Sequence, residues 1–142
     1  MEKKKLSCAV LDERDIHMLR EMIEADNQIY SSEQISGFIN TKGNIAFAAK
    51  RDEKIIGLAY CYSLLRLDGR LMMYVYSVDI LKAYQNNGYG TELMKYVINY
   101  AKNNGYSKCY VPVEKSNAPA CKIYKKAGMI SGNDCLEYKI TF

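Results

Sequence analysis

The feature that most constrains this chain is a corner. An apolar run, Met72 to Ile80, passes through Tyr84-Gln85-Asn86-Asn87-Gly88-Tyr89-Gly90-Thr91 into an amphipathic stretch from Thr91 to Asn104. Tyr89, Leu93, Met94, Val97 and Ala101 fall on one face of a 3.6-residue period, and Gly105 ends it. A strand that turns into a helix through Gly-x-Gly leaves the first backbone N–H groups of the helix unpaired. Those donors, at the positive end of the helix dipole, suit a phosphate or pyrophosphate. Glycine keeps side chains from holding the anion away. The plain alternative is a glycine-rich turn with no ligand. A dinucleotide site would place a third glycine where Leu93 stands and an acid about 20 positions on, and a phosphate-binding loop would read Gly-Lys-Ser/Thr. Neither pattern is present.

A second signal follows in Asn117-Ala118-Pro119-Ala120-Cys121-Lys122-Ile123-Tyr124-Lys125-Lys126-Ala127-Gly128-Met129. It reads as a short helix with Ser116 or Asn117 as cap and Pro119 in its first turn. Ala120, Ile123, Tyr124 and Ala127 form an apolar stripe, and Gly128 closes it. Upstream, Lys5 to Val10 reads as a strand, and Asp12 to Asp26 as a helix capped by Asp12. Ser31 to Asn40 reads as a second helix with a Ser31/Gln34 capping box. Ile45 to Lys50 is a strand. Ile55 to Leu67 and Arg70 to Ile80 are long strands joined at Asp68-Gly69, the strongest hairpin signal in the chain. Ser107 to Val113 and Cys135 to Phe142 complete the strands. The order β-α-α-β-β-β-α-β-α-β, without repeat or linker, implies one domain over residues 1–142: a mixed α/β (α+β) fold with helices on both faces of a mixed sheet.

With 142 residues, 49% hydrophobic and 25% charged, the chain has the composition of a soluble globule. No apolar run approaches the ~20 residues of a membrane span. The charged start, Met1-Glu2-Lys3-Lys4-Lys5, is not followed by a signal-peptide core. A net charge of +4 is too mild and scattered to indicate nucleic acid. Cys8, Cys61, Cys109, Cys121 and Cys135 form no C-x-x-C pair, and His17 is the one histidine, so no metal site is expected. Cysteines of this number and spacing point to a reducing cytoplasm.

Together, Gln-x-x-Gly-x-Gly and the later Asn-x-x-Ala-x-x-x-Tyr-x-x-x-Gly-Met resemble the GNAT superfamily of acetyl-CoA-dependent N-acetyltransferases. The resemblance covers roughly Asn44 to Phe142. More loosely, the run from Tyr30 onward resembles the type I aminoglycoside 3-N-acetyltransferases. It implies a GNAT-like fold, with a mostly antiparallel central sheet whose two central strands splay around the pantetheine arm. Acetyl-CoA is the implied cosubstrate. The backbone of Gln85, Asn86, Asn87, Gly88, Tyr89, Gly90 and Thr91 would grip its pyrophosphate. Val78 and Ile80 would pair with the pantetheine amides, a backbone N–H near Ile80 would face the thioester oxygen, and Asn117 would touch the pantetheine arm. Asn86 and Asn87 stand where the family often has Arg or Lys, which removes charge near the diphosphate but not the backbone donors.

The resemblance also implies that Tyr124 protonates the leaving thiolate, and a phenol of pKa about 10 is protonated at neutral pH. The other reading of Tyr124 is core packing, and of Asn117 a helix cap. A base is needed for the amine. Asp79 is one candidate, a carboxylate in an apolar run, and Glu114 is another, with Tyr74 and Tyr76 placed to hold a relay water. Asp79 as an exposed strand end stays open. Lys122, Lys125 and Lys126 read as a solvated helix face or as contacts to the 3′-phosphate.

The expected acceptor is a primary amine of a small molecule, with a peptide or protein amine as the alternative and a non-catalytic acyl-CoA sensor as a third reading. The expected place lies between the first two helices and the hairpin side of the sheet, with Tyr60, Tyr62, Tyr74 and Tyr76 as walls and Glu24, Asp26 and Glu33 as charges. Polycationic aminoglycosides need several carboxylates, whereas Glu114-Lys115-Ser116-Asn117 offers one acid and one base. No nucleic-acid or membrane partner is expected, and a homodimer stays open.

Overall fold

A computed structural model describes residues 5–132 and 134–142. Five strands form one sheet in sequential order: β1 (Ser7–Val10), β2 (Asn44–Arg51), β3 (Lys54–Leu65), β4 (Leu71–Ile80) and β5 (Lys108–Tyr110). The first three pairings are antiparallel and β4 pairs with β5 in parallel. The parallel step requires a crossover, and α3 (Tyr89–Asn103) supplies it. α1 (Ile16–Ala25) and α2 (Ser32–Asn40) precede β2, and α4 (Ala118–Lys126) follows β5.

The helices divide between the faces. Leu93, Met94, Val97 and Ala101 of α3 pack on Phe47, Ala59, Cys61, Met73 and Val75, with Ile123 and Tyr124 of α4 at the margin. On the other face Leu19, Met22 and Ile23 of α1 and Ile35 of α2 cover Ala46, Ala48 and Ile55. The capping signals hold. Asp12 caps a single 3-10 turn, Glu13–Asp15, that leads into α1, and Ser31 and Gln34 form the reciprocal box at α2. The Asp12 carboxyl is lowered to about 2, chiefly by its hydrogen bonds from Arg14.

Three expectations need correction. The β3–β4 hairpin is wider than a two-residue turn: Arg66 N–H donates to Arg70 O at 2.8 Å, and Gly69 sits at φ +83°. β5 stops at Tyr110 rather than Val113, in keeping with Pro112, which cannot donate to a ladder. The expected strand from Cys135 to Phe142 is absent: residues 134–142 lie in no helix or strand, and they leave the outer edge of β5 unpaired.

Two irregularities shape the sheet. The β4–β5 pairing ends at Tyr74 opposite Tyr110, while β4 stays paired with β3 as far as Ile80. One edge of β4 is therefore open from Val75 to Ile80. At the same place the β3–β4 register slips, from Cys61 opposite Val75 to Tyr60 opposite Ser77, leaving Tyr76 as an extra residue. One inserted residue exchanges the two faces for everything beyond it. Before it, Met73 and Val75 point to the α3 side; after it, Val78 and Ile80 do. Ser77 and Asp79 are thereby turned to the face that carries Tyr74.

The prediction concerns this inserted residue. Deleting Tyr76 and Ser77 together would put Val78 directly after Val75, drive Asp79 toward the apolar α3 side and expel Val78 and Ile80, at a cost of roughly 3 kcal/mol or more, whereas deleting Tyr76 alone would close the bulge and keep all three on their present faces. Tyr76 itself is 57% exposed, so Tyr76→Ala should cost no more than about 1 kcal/mol. Urea unfolding of the double deletion and of Tyr76→Ala checks the difference, and equal losses would contradict the role given to the bulge.

Candidate active site

Beyond β4 the chain makes a single turn, Lys82–Tyr84, before reaching the glycine corner. Two side-chain amides brace the corner. Gln85 Nε2 donates to Ile80 O at 2.9 Å, and Asn87 Nδ2 donates to Tyr84 O at 3.1 Å and Gln85 O at 3.0 Å. Asn86 and Gly88 both adopt the left-handed conformation, at φ 64° and 79°. Helix α3 begins at Tyr89, earlier than the expected Thr91, and its first backbone bond runs from Glu92 N–H to Gly88 O at 3.1 Å. No backbone N–H from Asn86 through Thr91 finds an acceptor among the described residues. Six successive donors at the positive end of a helix form a concavity for an anion.

Two details of the expected corner change. The N–H of Gln85 is not one of the free donors, since it donates to Lys82 O at 3.3 Å. Gly90 does not make room for a ligand. A Cβ there would lie 2.7 Å from Ile123 Cδ1, so this glycine lets α4 pack against α3. Gly88 faces open space, and its need is the positive φ.

The open edge of β4 leads to this corner. Leu81 N–H donates to Ile56 O at 2.9 Å, on the β3 side. Alternation along an antiparallel strand then aims the backbone of Ile80 and Val78 the other way, into the gap beside β4. The Ile80 carbonyl is already held by Gln85, so its N–H is the group left open. The bulge decides this too. Before it, Leu71 O accepts from Ser107 N–H of the β5 side at 2.8 Å, so in a strand of the same sequence with regular pairing throughout Val78 and Ile80 would have faced β3.

Tyr124 comes from α4. It is half-buried against the α3-side core, and its hydroxyl has no hydrogen-bond partner among the described residues. Burial raises its pKa, and the Asp79 carboxylate adds to the rise, followed by Cys121 and Cys61. Asp79 accepts a hydrogen bond from Ser77 Oγ at 2.6 Å. It also acts on Tyr60, which is pushed up to about 12 by burial first and then by Tyr76, Tyr62, Tyr30 and Asp79. Asp79 thus lies within electrostatic reach of Tyr124 on one side and of Tyr60 on the other. Asn117 is the α4 cap, its Oδ1 accepting from Ala120 N–H at 3.2 Å. Glu114 is exposed in the loop after β5, and no hydrogen bond or ion pair ties its carboxylate to Tyr124 or Asp79. Lys122, Lys125 and Lys126 lie on the exposed face of α4.

On the far side of Asp79 is an aromatic wall. Tyr60 lies 5.1 Å from Tyr76 and 5.5 Å from Phe38, Tyr62 lies 6.4 Å from Tyr74, and Tyr74 meets Tyr110 at 5.1 Å. Phe38 and Tyr110 are additions to the four expected tyrosines. The period-2 spacing of tyrosine on β3 and β4 carried the signal for those four, whereas Phe38 and Tyr110 arrive from other elements. Tyr60 and Phe38 continue into a cavity of about 270 Å³ lined by Leu19, Ile23, Tyr30, Ile35 and Leu58. No carboxylate lines it. The acids expected there lie elsewhere: Glu33 is on the opposite flank of α2 beside Ser36 and Asn40, Glu24 pairs with Arg20 at 3.6 Å, and Asp26 is exposed just past α1.

No group of His, Cys, Asp and Glu side chains capable of holding a metal occurs among the described residues, and no helix is long and apolar enough to cross a membrane.

Comparison with known proteins agrees with this geometry. An aminoglycoside acetyltransferase from an uncultured soil metagenomic sample, solved with sisomicin, superposes with a TM-score of 0.87 at 18% identity, covering 96% of each chain. An aminoglycoside N-acetyltransferase in complex with CoA superposes at 0.79 with 12% identity, covering 98% of this chain and 97% of that one. Identities this low show a shared fold. In sequence, N-alpha-acetyltransferase 30 of Schizosaccharomyces pombe is 22% identical over 129 residues, covering 83% of this chain and 86% of that protein. The model of the acetyltransferase (GNAT) family matches residues 13–129, which hold the glycine corner, Asp79 and Tyr124, and the chain accordingly belongs to that family of acetyl-CoA-dependent acyltransferases.

Proposed function

We propose that this protein moves the acetyl group of acetyl-CoA to a primary amine of a small molecule, with Tyr124 as general acid and Asp79 as general base. The observation that carries this reading is the Asp79 carboxylate on the tyrosine face of β4, within electrostatic reach of both Tyr124 and Tyr60. A proton taken from an amine on one side and a proton given to sulfur on the other need such an arrangement.

The residues present suit acetyl-CoA. The unpaired N–H groups from Asn86 to Thr91 match a diphosphate, and the outward backbone of Val78 and Ile80 matches the amides of a pantetheine arm. Acetyl-CoA supplies an activated thioester carbonyl. The Ile80 N–H faces the carbonyl oxygen as negative charge develops there, a role worth several kcal/mol in comparable sites, on the order of 3. Asp79, directly or through a water held by Tyr74 and Tyr76, accepts the proton that the amine loses as its nitrogen attacks. Tyr124 donates its phenolic proton to the departing sulfur. Its raised pKa keeps that proton in place throughout the neutral range. Asn117, which caps α4, fixes the helix that presents Tyr124 and borders the pantetheine path. Gln85 and Asn87 serve the corner through their side chains.

The acceptor side favours an amine on a compact, largely apolar carrier. A polycation would need several carboxylates, and the cavity beside the aromatic wall has none. A peptide amine is the second reading, favoured by the N-alpha-acetyltransferase relative. The cysteines, of which Cys8, Cys61, Cys109 and Cys121 are free thiols, support action in a reducing cytoplasm.

Two measurements check these roles. Tyr124→Phe should lower kcat by about 10²–10⁴-fold and leave acetyl-CoA affinity within about threefold, read by steady-state kinetics and calorimetry. Weakened binding with intact turnover would make Tyr124 a packing residue. The second is a titration. The Tyr124 phenol should ionise above the ordinary tyrosine value of about 10. In Asp79→Asn it should titrate lower than in the wild type, while staying raised because burial persists. An NMR pH titration reads both, and an unchanged value in Asp79→Asn would separate the two residues.

A further inference from the structure

The sheet register ties the cavity under α1 and α2 to the carboxylate of Asp79. In the β3–β4 ladder Leu58 stands opposite Asp79, and Tyr60 opposite Ser77. Residues opposite each other in an antiparallel pair share a face, with Cβ atoms roughly 4.5–5.5 Å apart. Leu58 and Tyr60 both line the cavity, and Ser77 Oγ donates to the Asp79 carboxylate at 2.6 Å. Asp79 itself is exposed. The carboxylate therefore stands at the rim of an apolar hollow.

Beyond that rim the hollow has no answer to a second charge. Among the described residues no Asp, Glu, Lys or Arg lines it. Its one side-chain amide, Gln34, is committed to the capping box: Oε1 accepts from Ser31 N–H at 2.9 Å. The N–H donors of that amide remain, and a donor cannot pair with an ammonium. The phenols of Tyr30 and Tyr60 are the other polar side chains of the lining, and both are neutral near pH 7. Ile35 and Ala46, both buried, close the floor.

We propose that the acceptor is a primary monoamine on an unbranched alkyl or aryl-alkyl tail, that the tail enters the α1–α2 cavity past Tyr60, and that Leu58 sets its length. This rests on the reading of Asp79 as the group that takes the proton of the amine. An amine anchored at Asp79 has its first carbons against Leu58, directly across the ladder. Phe38 and Tyr60, with ring centroids 5.5 Å apart, flank the way in, and the cavity of about 270 Å³ takes the rest. At about 30 Å³ for each water-sized unit, that is room for a tail of roughly five to nine carbons. A diamine of the same length would bury a second ammonium without an anion, which outweighs the gain from burying its methylenes. A peptide would bring an amide at the carbon beside its amine, where it meets the Leu58 side chain instead of a hydrogen-bonding group.

The test is acetyl transfer from acetyl-CoA to a series from propylamine to dodecylamine, with phenethylamine, hexamethylenediamine and phenylalanine amide alongside. The expected kcat/KM climbs roughly fourfold per methylene to a maximum at about five to nine carbons and falls beyond it. Hexamethylenediamine should lie at least about a hundredfold below hexylamine, and phenylalanine amide below phenethylamine. Leu58→Ala should move the maximum to longer tails and Leu58→Phe to shorter ones, with folding checked by circular dichroism. The wild-type series decides the matter by itself if either variant fails to fold. Calorimetry of the same amines against the complex with CoA reads tail binding without turnover, so failure of the reaction and failure of the cavity assignment are distinguishable. Length-dependent binding without acetyl transfer would uphold the cavity assignment and remove the proposed reaction. Acetyl transfer without a length optimum, a diamine as good as the monoamine, a preference for phenylalanine amide, or a maximum that folded Leu58 variants leave in place would overturn the inference and leave the reaction standing. Amines that neither bind nor react would overturn both.

Discussion

Much of this molecule depends on one extra residue in one strand. Tyr76 interrupts the β3–β4 ladder, and because side chains alternate with a period of two, everything after it is reversed. The reversal sends Val78 and Ile80 to the α3-side core and sets Asp79 on the face of the tyrosines. It also turns the backbone of Val78 and Ile80 away from β3, where β4 no longer has β5 beside it. The shifted register thus brings the open backbone and the carboxylate into place beside the aromatic wall. Bulges concentrate beside active sites because they re-aim a side chain in this way.

The rest of the fold holds the two sides of that strand apart. α3 and α4 close one face, and their contact depends on Gly90, which leaves room for Ile123. That contact sets how Tyr124 stands relative to the gap. α1 and α2 close the other face around a cavity with aromatic and aliphatic walls. The glycine corner, braced by Gln85 and Asn87 rather than by charged side chains, sits at the end of the gap with its N–H groups unpaired. Asn86 and Asn87 bring no charge to the corner, where the backbone dipoles are joined by the Arg51 guanidinium, which donates to the Tyr89 hydroxyl at 2.6 Å.

The corner, α3, the Asn117 helix, the Asp12 cap and the Ser31/Gln34 capping box were legible in the sequence because each has a local cause: a glycine, a cap or a 3.6-residue stripe. What failed had non-local causes. Cys135 to Phe142 has sound strand alternation, but a strand needs pairing, and the outer edge of β5 stays unpaired. Glu33 and Glu24 were placed near the acceptor by sequence proximity, while the helical period puts Glu33 on the opposite flank of α2 from Phe38. The bulge did leave a trace. Met73 and Val75 are two apart, and the next inward residue is Val78 rather than Ser77. That three-residue step in an otherwise two-residue period marks the inserted position. The membership of Tyr124 and Asp79 in one neighbourhood was not legible, since it depends on how α4 packs after the crossover.

The most direct measurement of the central claim is amide hydrogen exchange with and without CoA. The open-edge account predicts slowed exchange at Val78 and Ile80 and across Asn86 to Thr91, with little change at Asp79 and Leu81, whose amides already face β3. Protection confined to the α1–α2 cavity, or spread evenly over β4 without alternation, would contradict it.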